Sequence, residues 1–358
     1  MSLPNLNRLI LKYFTRERGG TMPIFGLTPG SMLPSLRTLA LTNFRFGPKE
    51  AAGWAQYLRN QHLRRLSLDG NIEMLDFIDC LSGYVPALES LTIRISNGTD
   101  PDTKSRTTRL LDAFLSHIDG LTAFTAYDLP KEVLYSAARY QRSHLRQLRF
   151  RETGYPELRW SGDQGKDCPF SPEELKTLSS ELPRIEQLGI DLRFKGKTHY
   201  DILNALASFP NLKHLELNTP YRTDWSFWGH QSIAIAEQWL NESITEDAFN
   251  YVASQKKHHE KTSGDSTSTT PCPKLKALDI KGGEWEPFMK DYKAKLLKGL
   301  CVYACRRGDA VPGKLYTVRL PCKSQGSVSM VEDSMYEEAL HSAGLLDPRK
   351  ADFGPPIW

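Results

Sequence analysis

One pattern recurs along the whole chain and limits what it can fold into: apolar, two residues, apolar, one residue, apolar. It reads Leu6-Leu9-Leu11 in NLNRLIL, Leu36-Leu39-Leu41 in SLRTLAL, Leu63-Leu66-Leu68 in HLRRLSL and Leu88-Leu91-Ile93 in ALESLTI. A degenerate copy, Leu121-Phe124-Ala126, precedes Leu145-Leu148-Phe150, Ile185-Leu188-Ile190, Leu212-Leu215-Leu217 and Leu275-Leu278-Ile280, and a weaker Leu315-Val318-Leu320 comes last. The second and third apolar residues alternate as one face of a short strand requires. The first turns into the same core from the preceding bend. One such strand cannot bury its face alone, so neighbours must stack into a parallel sheet.

The stretches between copies carry the three-and-four spacing of amphipathic helices. Residues 48–60 place Ala51, Trp54, Ala55 and Leu58 on one face, 71–81 place Ile72, Leu75, Ile78 and Leu81, and 108–118 place Leu110, Leu111, Phe114, Leu115 and Ile118. Residues 171–182 open with Ser171 as N-cap, Pro172 at the first helical position and Glu174 completing a capping box. Residues 199–209 and 287–300 continue the alternation. LPKEVL, at 129–134, predicts one more helix, with Pro130 at its first position and Val133, Leu134 and Ala137 facing the core. Two insertions interrupt a single domain spanning 1–358: a turn-rich loop at 151–171, and residues 219–272. The second insertion holds Tyr221, Trp225, Phe227 and Trp228, then a helical stretch, then a polar tail at about 255–271 that is expected to be disordered.

About ten copies, spaced mostly in the high twenties, make the chain resemble a leucine-rich-repeat protein over nearly its full length. The resemblance implies an α/β leucine-rich-repeat solenoid, a curved horseshoe with parallel strands on the concave face and helices on the convex face. The copies are irregular. An Asn three residues after the third apolar position appears cleanly only at Asn71, with Phe14, Phe44, Ser96, Thr153 and Arg193 in the same place elsewhere. Loose repeats of this kind resemble fungal F-box/leucine-rich-repeat proteins, and LPKEVL looks like the opening of an F-box. That module needs several packed helices, whereas the next copy begins at Leu145, and LPKEVL sits among the repeats. This chain therefore is expected to carry no F-box of its own. A repeat strand as early as Leu6 points to a short cap or to a longer parent chain. The resemblance implies a non-catalytic protein–protein interaction scaffold in the cytoplasm or nucleus. It would be the substrate-recognition repeat region of an F-box-like ubiquitin-ligase receptor, or a paralogue lacking the F-box. An adaptor of the ligase would bind only through an F-box upstream.

Other function classes find little support. The net charge of +4 is too small alone to argue for nucleic acid. No uninterrupted apolar run is long enough to span a bilayer. Six scattered cysteines read as reduced thiols. Cys301 and Cys305 are expected one turn apart on a helix, but no second pair completes a metal site. Nucleophile elbow, zinc-protease, phosphate-loop and dinucleotide motifs are all missing from the sequence, and the DFG at 352–354 lacks the rest of a kinase. No catalysis and no cofactor are implied.

The residues flanking the second and third apolar positions point away from the core. In the first six copies they include Arg8, Lys12, Arg65, Arg94, Arg149 and Arg151 against one acid, Asp69. In the next three they include Asp191, Glu216 and Asp279 against Lys281. A face that changes sign suits a protein partner of complementary charge. The expected partner-binding residues are Arg65, Arg94, Tyr127, Arg149, Arg151, Asp191 and Glu216, read as solvent-facing side chains. Tyr and Arg dominate many interfaces, and Arg pairs with carboxylate or phosphate, so an acidic or phosphorylated segment is the expected ligand. The acids would fix its direction. The alternative is a nucleic-acid binder using the basic half, against which stands the lack of an aromatic-basic module.

Overall fold

The computed structural model of the chain describes residues 5–12, 33, 35–44, 46, 48–58, 62–96, 101–151, 168–192, 194, 198–219, 242–262, 275–282, 301–307 and 315–321. The second and third residues of every apolar triplet fall on strands. These are β1 (Arg8–Lys12), β2 (Thr38–Thr42), β3 (Arg65–Asn71), β4 (Ser90–Ser96), β5 (Ala123–Tyr127), β6 (Gln147–Arg151), β7 (Gln187–Asp191), β8 (His214–Thr219), β9 (Ala277–Gly282) and β11 (Leu315–Pro321), with β10 (Cys301–Arg307) an additional strand. Between them run α1 (Pro48–Tyr57), α2 (Met74–Leu81), α3 (Pro101–Ser116), α4 (Glu132–Gln141), α5 (Pro172–Glu181), α6 (Tyr200–Ala207) and α7 (Glu242–Thr262). The chain divides into two compact units. The first comprises residues 1–164, 174–189 and 209–211, and the second 165–173, 190–208 and 212–358.

In the first unit the strands are neighbours in chain order and parallel from β1 to β6. The register follows from one repeated backbone device. The carbonyl of the residue after the first apolar position accepts two consecutive amides of the next copy. The Asn7 carbonyl accepts from Arg37 and Thr38 at 2.9 and 3.0 Å, and the Arg37 carbonyl accepts from Arg64 and Arg65, both at 2.9 Å. Arg64, Glu89, Thr122 and Arg146 repeat the fork toward β4, β5, β6 and the start of β7. A carbonyl has two lone pairs, so one oxygen can satisfy both donors. The fork brings apolar residues into two rows, Leu39-Leu66-Leu91-Phe124-Leu148 and Leu41-Leu68-Ile93-Ala126-Phe150, all buried.

The helices close the other side of this core. α1 packs on α2, α2 on α3 and α3 on α4. Phe46 stacks on Phe77 with ring centroids 4.5 Å apart, and Trp54 meets both edge-on. Asn71 ends β3 and accepts the Glu73 amide at 3.2 Å, so α2 starts at Met74, later than its apolar spacing suggested. LPKEVL is a scaffold helix: Val133, Leu134 and Ala137 are buried. Pro130 stands just ahead of α4, its carbonyl accepting the Val133 amide at 3.1 Å. The far end of α4 carries a buried polar side chain that sequence periodicity did not single out. Gln141 donates from Nε2 to the carbonyls of Leu115 and Ile118, at 3.2 and 2.7 Å, and its Oε1 accepts the Leu121 amide at 3.0 Å. It thereby joins the end of α3 to the bend before β5.

In the second unit β8 and β9 are parallel, and the Lys213 carbonyl makes the same fork to Lys276 and Ala277. The pattern then changes. β10 pairs antiparallel with both β9 and β11. The last triplet, Leu315-Val318-Leu320, is therefore not a further parallel repeat but one arm of an antiparallel pair. Cys301 and Cys305 lie on strand β10 and not on a helix. α7 packs against α6 and continues past Gln255 to Thr262, which corrects the expected disorder over that part of the insertion. The remaining tail, the loop at 152–167 and the expected helix at 287–300 lie outside the described residues.

Two substitutions test the core. Leu148→Asp places an unpaired charge between Phe124 and the helix layer and is expected to cost about 3–5 kcal/mol, read as loss of cooperative unfolding in urea. Gln141→Leu takes this side-chain partner from the Ile118 carbonyl and the Leu121 amide, while the Leu115 carbonyl keeps the Ile118 amide at 3.3 Å, and is expected to cost about 2–3 kcal/mol in the same measurement.

Candidate interaction site

On the face opposite the apolar rows, register gathers residues that lie far apart in sequence. Asp69 pairs with Arg94, Arg94 with Tyr127, and Tyr127 with Arg151, giving one transverse row at the ends of β3, β4, β5 and β6. The middle row is Ser67-Thr92-Thr125-Arg149, and the first is Arg65-Ser90-Ala123-Gln147. A turn residue fixes the transverse row. Directly after β5, Asp128 takes a left-handed backbone, φ 57°, and donates its amide to the Arg151 carbonyl at 2.9 Å. Asn43 after β2 does the same, φ 58°, toward the Asp69 carbonyl. Asp and Asn tolerate this conformation better than other side-chain-bearing residues. The turn carries the Asp128 carboxylate back to Arg94, whose Nε donates to Oδ2 at 3.1 Å. Arg94 is thus held in place.

A second positioning residue is Gly189. A Cβ there would lie 2.9 Å from Cγ of Arg149, so the absence of a side chain is what lets the aliphatic stem of Arg149 lie across β7. Neither Asp128 nor Gly189 was singled out by reading the strand face. The signal for Asp128 was an acid directly after a strand, where a tight turn is needed.

The expected site residues differ in accessibility. Arg65 is exposed, and Arg94, Tyr127 and Arg149 are half-buried. Arg151, Asp191 and Glu216 are only 5, 5 and 8% exposed, which corrects their reading as solvent-facing. Charged side chains are seldom so enclosed unless partnered. In the first unit the structure brings Arg94, Tyr127 and Arg151 into one row, with Arg149 on the neighbouring row and Arg65 on the outermost one.

In the second unit Glu216 and Asp279 are register neighbours on β8 and β9, both buried. Nε2 of His214 lies 2.8 Å from Oδ2 of Asp279. Asn218, next on the same face of β8, is buried, and neither atom of its side-chain amide has a hydrogen-bond partner among the described residues.

Among the described residues no three His, Cys, Asp or Glu side chains are grouped to hold a metal ion. The Cys80 thiol is pushed up from its ordinary value by burial and then by Asp79 and Asp76. No described helix is long and apolar enough to cross a membrane.

The parallel strand–turn–helix repeats define an α/β leucine-rich-repeat solenoid, on the evidence of the fork and the apolar rows. No family model matches the chain, and no curated protein matches it. Among solved structures, it is similar to the leucine-rich-repeat-containing protein LegL7 from Legionella pneumophila. The identity is 12% and the TM-score 0.36, over 84% of this chain and 97% of that one.

The turn at Asp128 gives a prediction. Asp128→Gly removes the partner of Arg94 but keeps the left-handed turn, whereas Asp128→Ala removes both. The alanine variant is expected to be less stable than the glycine variant by about 1–2 kcal/mol in urea unfolding.

Proposed function

We propose that this chain is a non-catalytic protein-interaction scaffold that receives an acidic or phosphorylated segment of a partner protein on the strand face of its first unit. The observation that carries the reading is the row Arg94–Tyr127, held by Asp128 and flanked by the half-buried Arg149. Arginines already fixed in place lose little freedom on binding. Their guanidinium groups match carboxylate or phosphate oxygens in pairs. Tyr127 offers a rigid ring beside them, the residue type that often dominates interface energy. Arg65, exposed on the outermost row, extends the basic surface. Arg151 is enclosed and adds positive charge more than contact. Asp191 and Glu216 are enclosed in the second unit and take no direct part.

The finer role we propose is substrate recognition for an F-box-like ubiquitin-ligase receptor, or the duty of a paralogue that lacks the F-box. Support for it comes from the loose repeat pattern alone.

Two variants test the scaffold reading. Partners are recovered from cell extract with wild-type chain, with Tyr127→Ala and with Arg149→Ala, each checked for folding by thermal unfolding. Each variant is expected to lose about tenfold or more in affinity for a recovered acidic or phosphorylated partner. Recovery of the same proteins in the same amounts by all three chains would overturn the reading. Recovery of bulk RNA with a steep salt dependence would favour a nucleic-acid binder instead.

A further inference from the structure

We infer that the outer edge of β1 is a second interaction surface, which takes up an extended segment of a partner protein bearing acidic residues four positions apart. The inference does not rest on the Arg94–Tyr127 row, because it concerns a different strand and different chemistry.

Among the described residues β1 pairs on one side only, with β2. The direction of its free backbone groups follows from the fork. The Asn7 carbonyl turns toward β2, where it accepts the Arg37 and Thr38 amides. Backbone groups alternate sides along a strand in a parallel pair, so those of Leu9 and Leu11 also face β2. Those of Arg8, Ile10 and Lys12 point outward from the edge.

The core is open at the same place. Leu39 and Leu41 on β2 are fully buried, but their counterparts Leu9 and Leu11 on β1 are only half-buried. Ile10 is 41% exposed, the one large apolar side chain on a strand among the exposed large hydrophobics of the described residues. Free donors and acceptors, an unfinished apolar row and an exposed isoleucine together suit an added strand, whose main-chain bonds supply affinity and whose side chains supply selectivity.

Charge decides which strand. Arg8 and Lys12 are both exposed and flank Ile10 on its face. A second copy of this chain fits badly. Antiparallel pairing of β1 with itself about Ile10 sets Arg8 opposite Lys12 at both ends, and like charges directly opposed are destabilising. The charges that block self-pairing select an acidic guest. The fitting segment reads acidic, apolar, apolar, apolar, acidic. Its ends face Arg8 and Lys12, its centre lies on Ile10, and its other apolar residues extend the rows of Leu9 and Leu11.

The probe is a fluorescein-labelled peptide, Ser-Gly-Glu-Val-Ile-Val-Asp-Gly-Ser, with a control in which lysines replace both acids. Anisotropy is read against the full chain. Wild type is expected to bind the acidic peptide saturably and the lysine peptide far more weakly. Ile10→Pro removes an outward amide without touching the β1–β2 ladder and is expected to weaken binding about tenfold. The double variant Arg8→Glu/Lys12→Glu is expected to keep the wild-type melting temperature and to reverse the preference toward the lysine peptide. It decides the matter even where the proline variant fails to fold. No saturable binding by wild type, equal binding of the two peptides, or an acidic preference retained by the double variant would each overturn the inference.

Discussion

One carbonyl oxygen per repeat, held between two amides of the next, sets the register on which the rest of the first unit depends. Asn7, Arg37, Arg64, Glu89, Thr122 and Arg146 all make this contact, at 2.8–3.0 Å. Parallel strands receive no help from a hairpin turn, because a long crossover separates each pair. The fork supplies the alignment locally. A slip of one residue would turn every side chain to the opposite face, exposing Leu66 and Leu68 and burying Ser67 and Asp69. The apolar rows and the Arg94–Tyr127 row are therefore two faces of the same alignment.

Uneven crossovers leave backbone groups that no ladder can reach, and side chains satisfy them. Gln141 serves three such groups between α3 and β5. Asn211 donates to the Pro183 carbonyl at 2.8 Å, and in the second unit Thr219 donates to the Leu192 carbonyl at 2.8 Å. A buried backbone group without a partner costs about as much as a lost hydrogen bond. Irregular repeats can thus keep a common core because each departure in length is matched by a polar side chain of suitable reach. Asp128 belongs with these residues, since its turn serves the backbone while its carboxylate orders Arg94.

Much of this fold was legible in the sequence because burial leaves a period. Leu66, Leu91 and Leu148 could be placed in one row from spacing alone, as could the core faces of α2 and α4. Direction was not legible. Leu315, Val318 and Leu320 have the spacing of a repeat but lie on an antiparallel strand, since alternation is the same either way. Cys301 and Cys305, four apart, suit a helical turn and a strand equally, and the structure chose the strand. α3 begins at Pro101, ahead of its apolar stripe, where its first turns carry Asp102, Lys104 and Arg106 and no periodic signal. At the candidate site, residue types and strand positions were legible, but accessibility was not. Charged residues are normally exposed, and the enclosure of Arg151, Asp191 and Glu216 depends on tertiary packing that no local pattern records.

Disulfide formation between engineered cysteines tests the ladder most directly. Thr92 and Thr125 are register partners on β4 and β5, while Ser67 lies one strand further, opposite Thr92. Neighbouring strands lie about 4.8 Å apart, within the span a disulfide bridges, and a second strand doubles that distance. On mild oxidation, Thr92→Cys/Thr125→Cys should form an intramolecular disulfide, identified by peptide mapping, and Ser67→Cys/Thr125→Cys should not. A link in the distant pair, or none in the adjacent pair under the same conditions, would contradict the repeat register and the interaction face built on it.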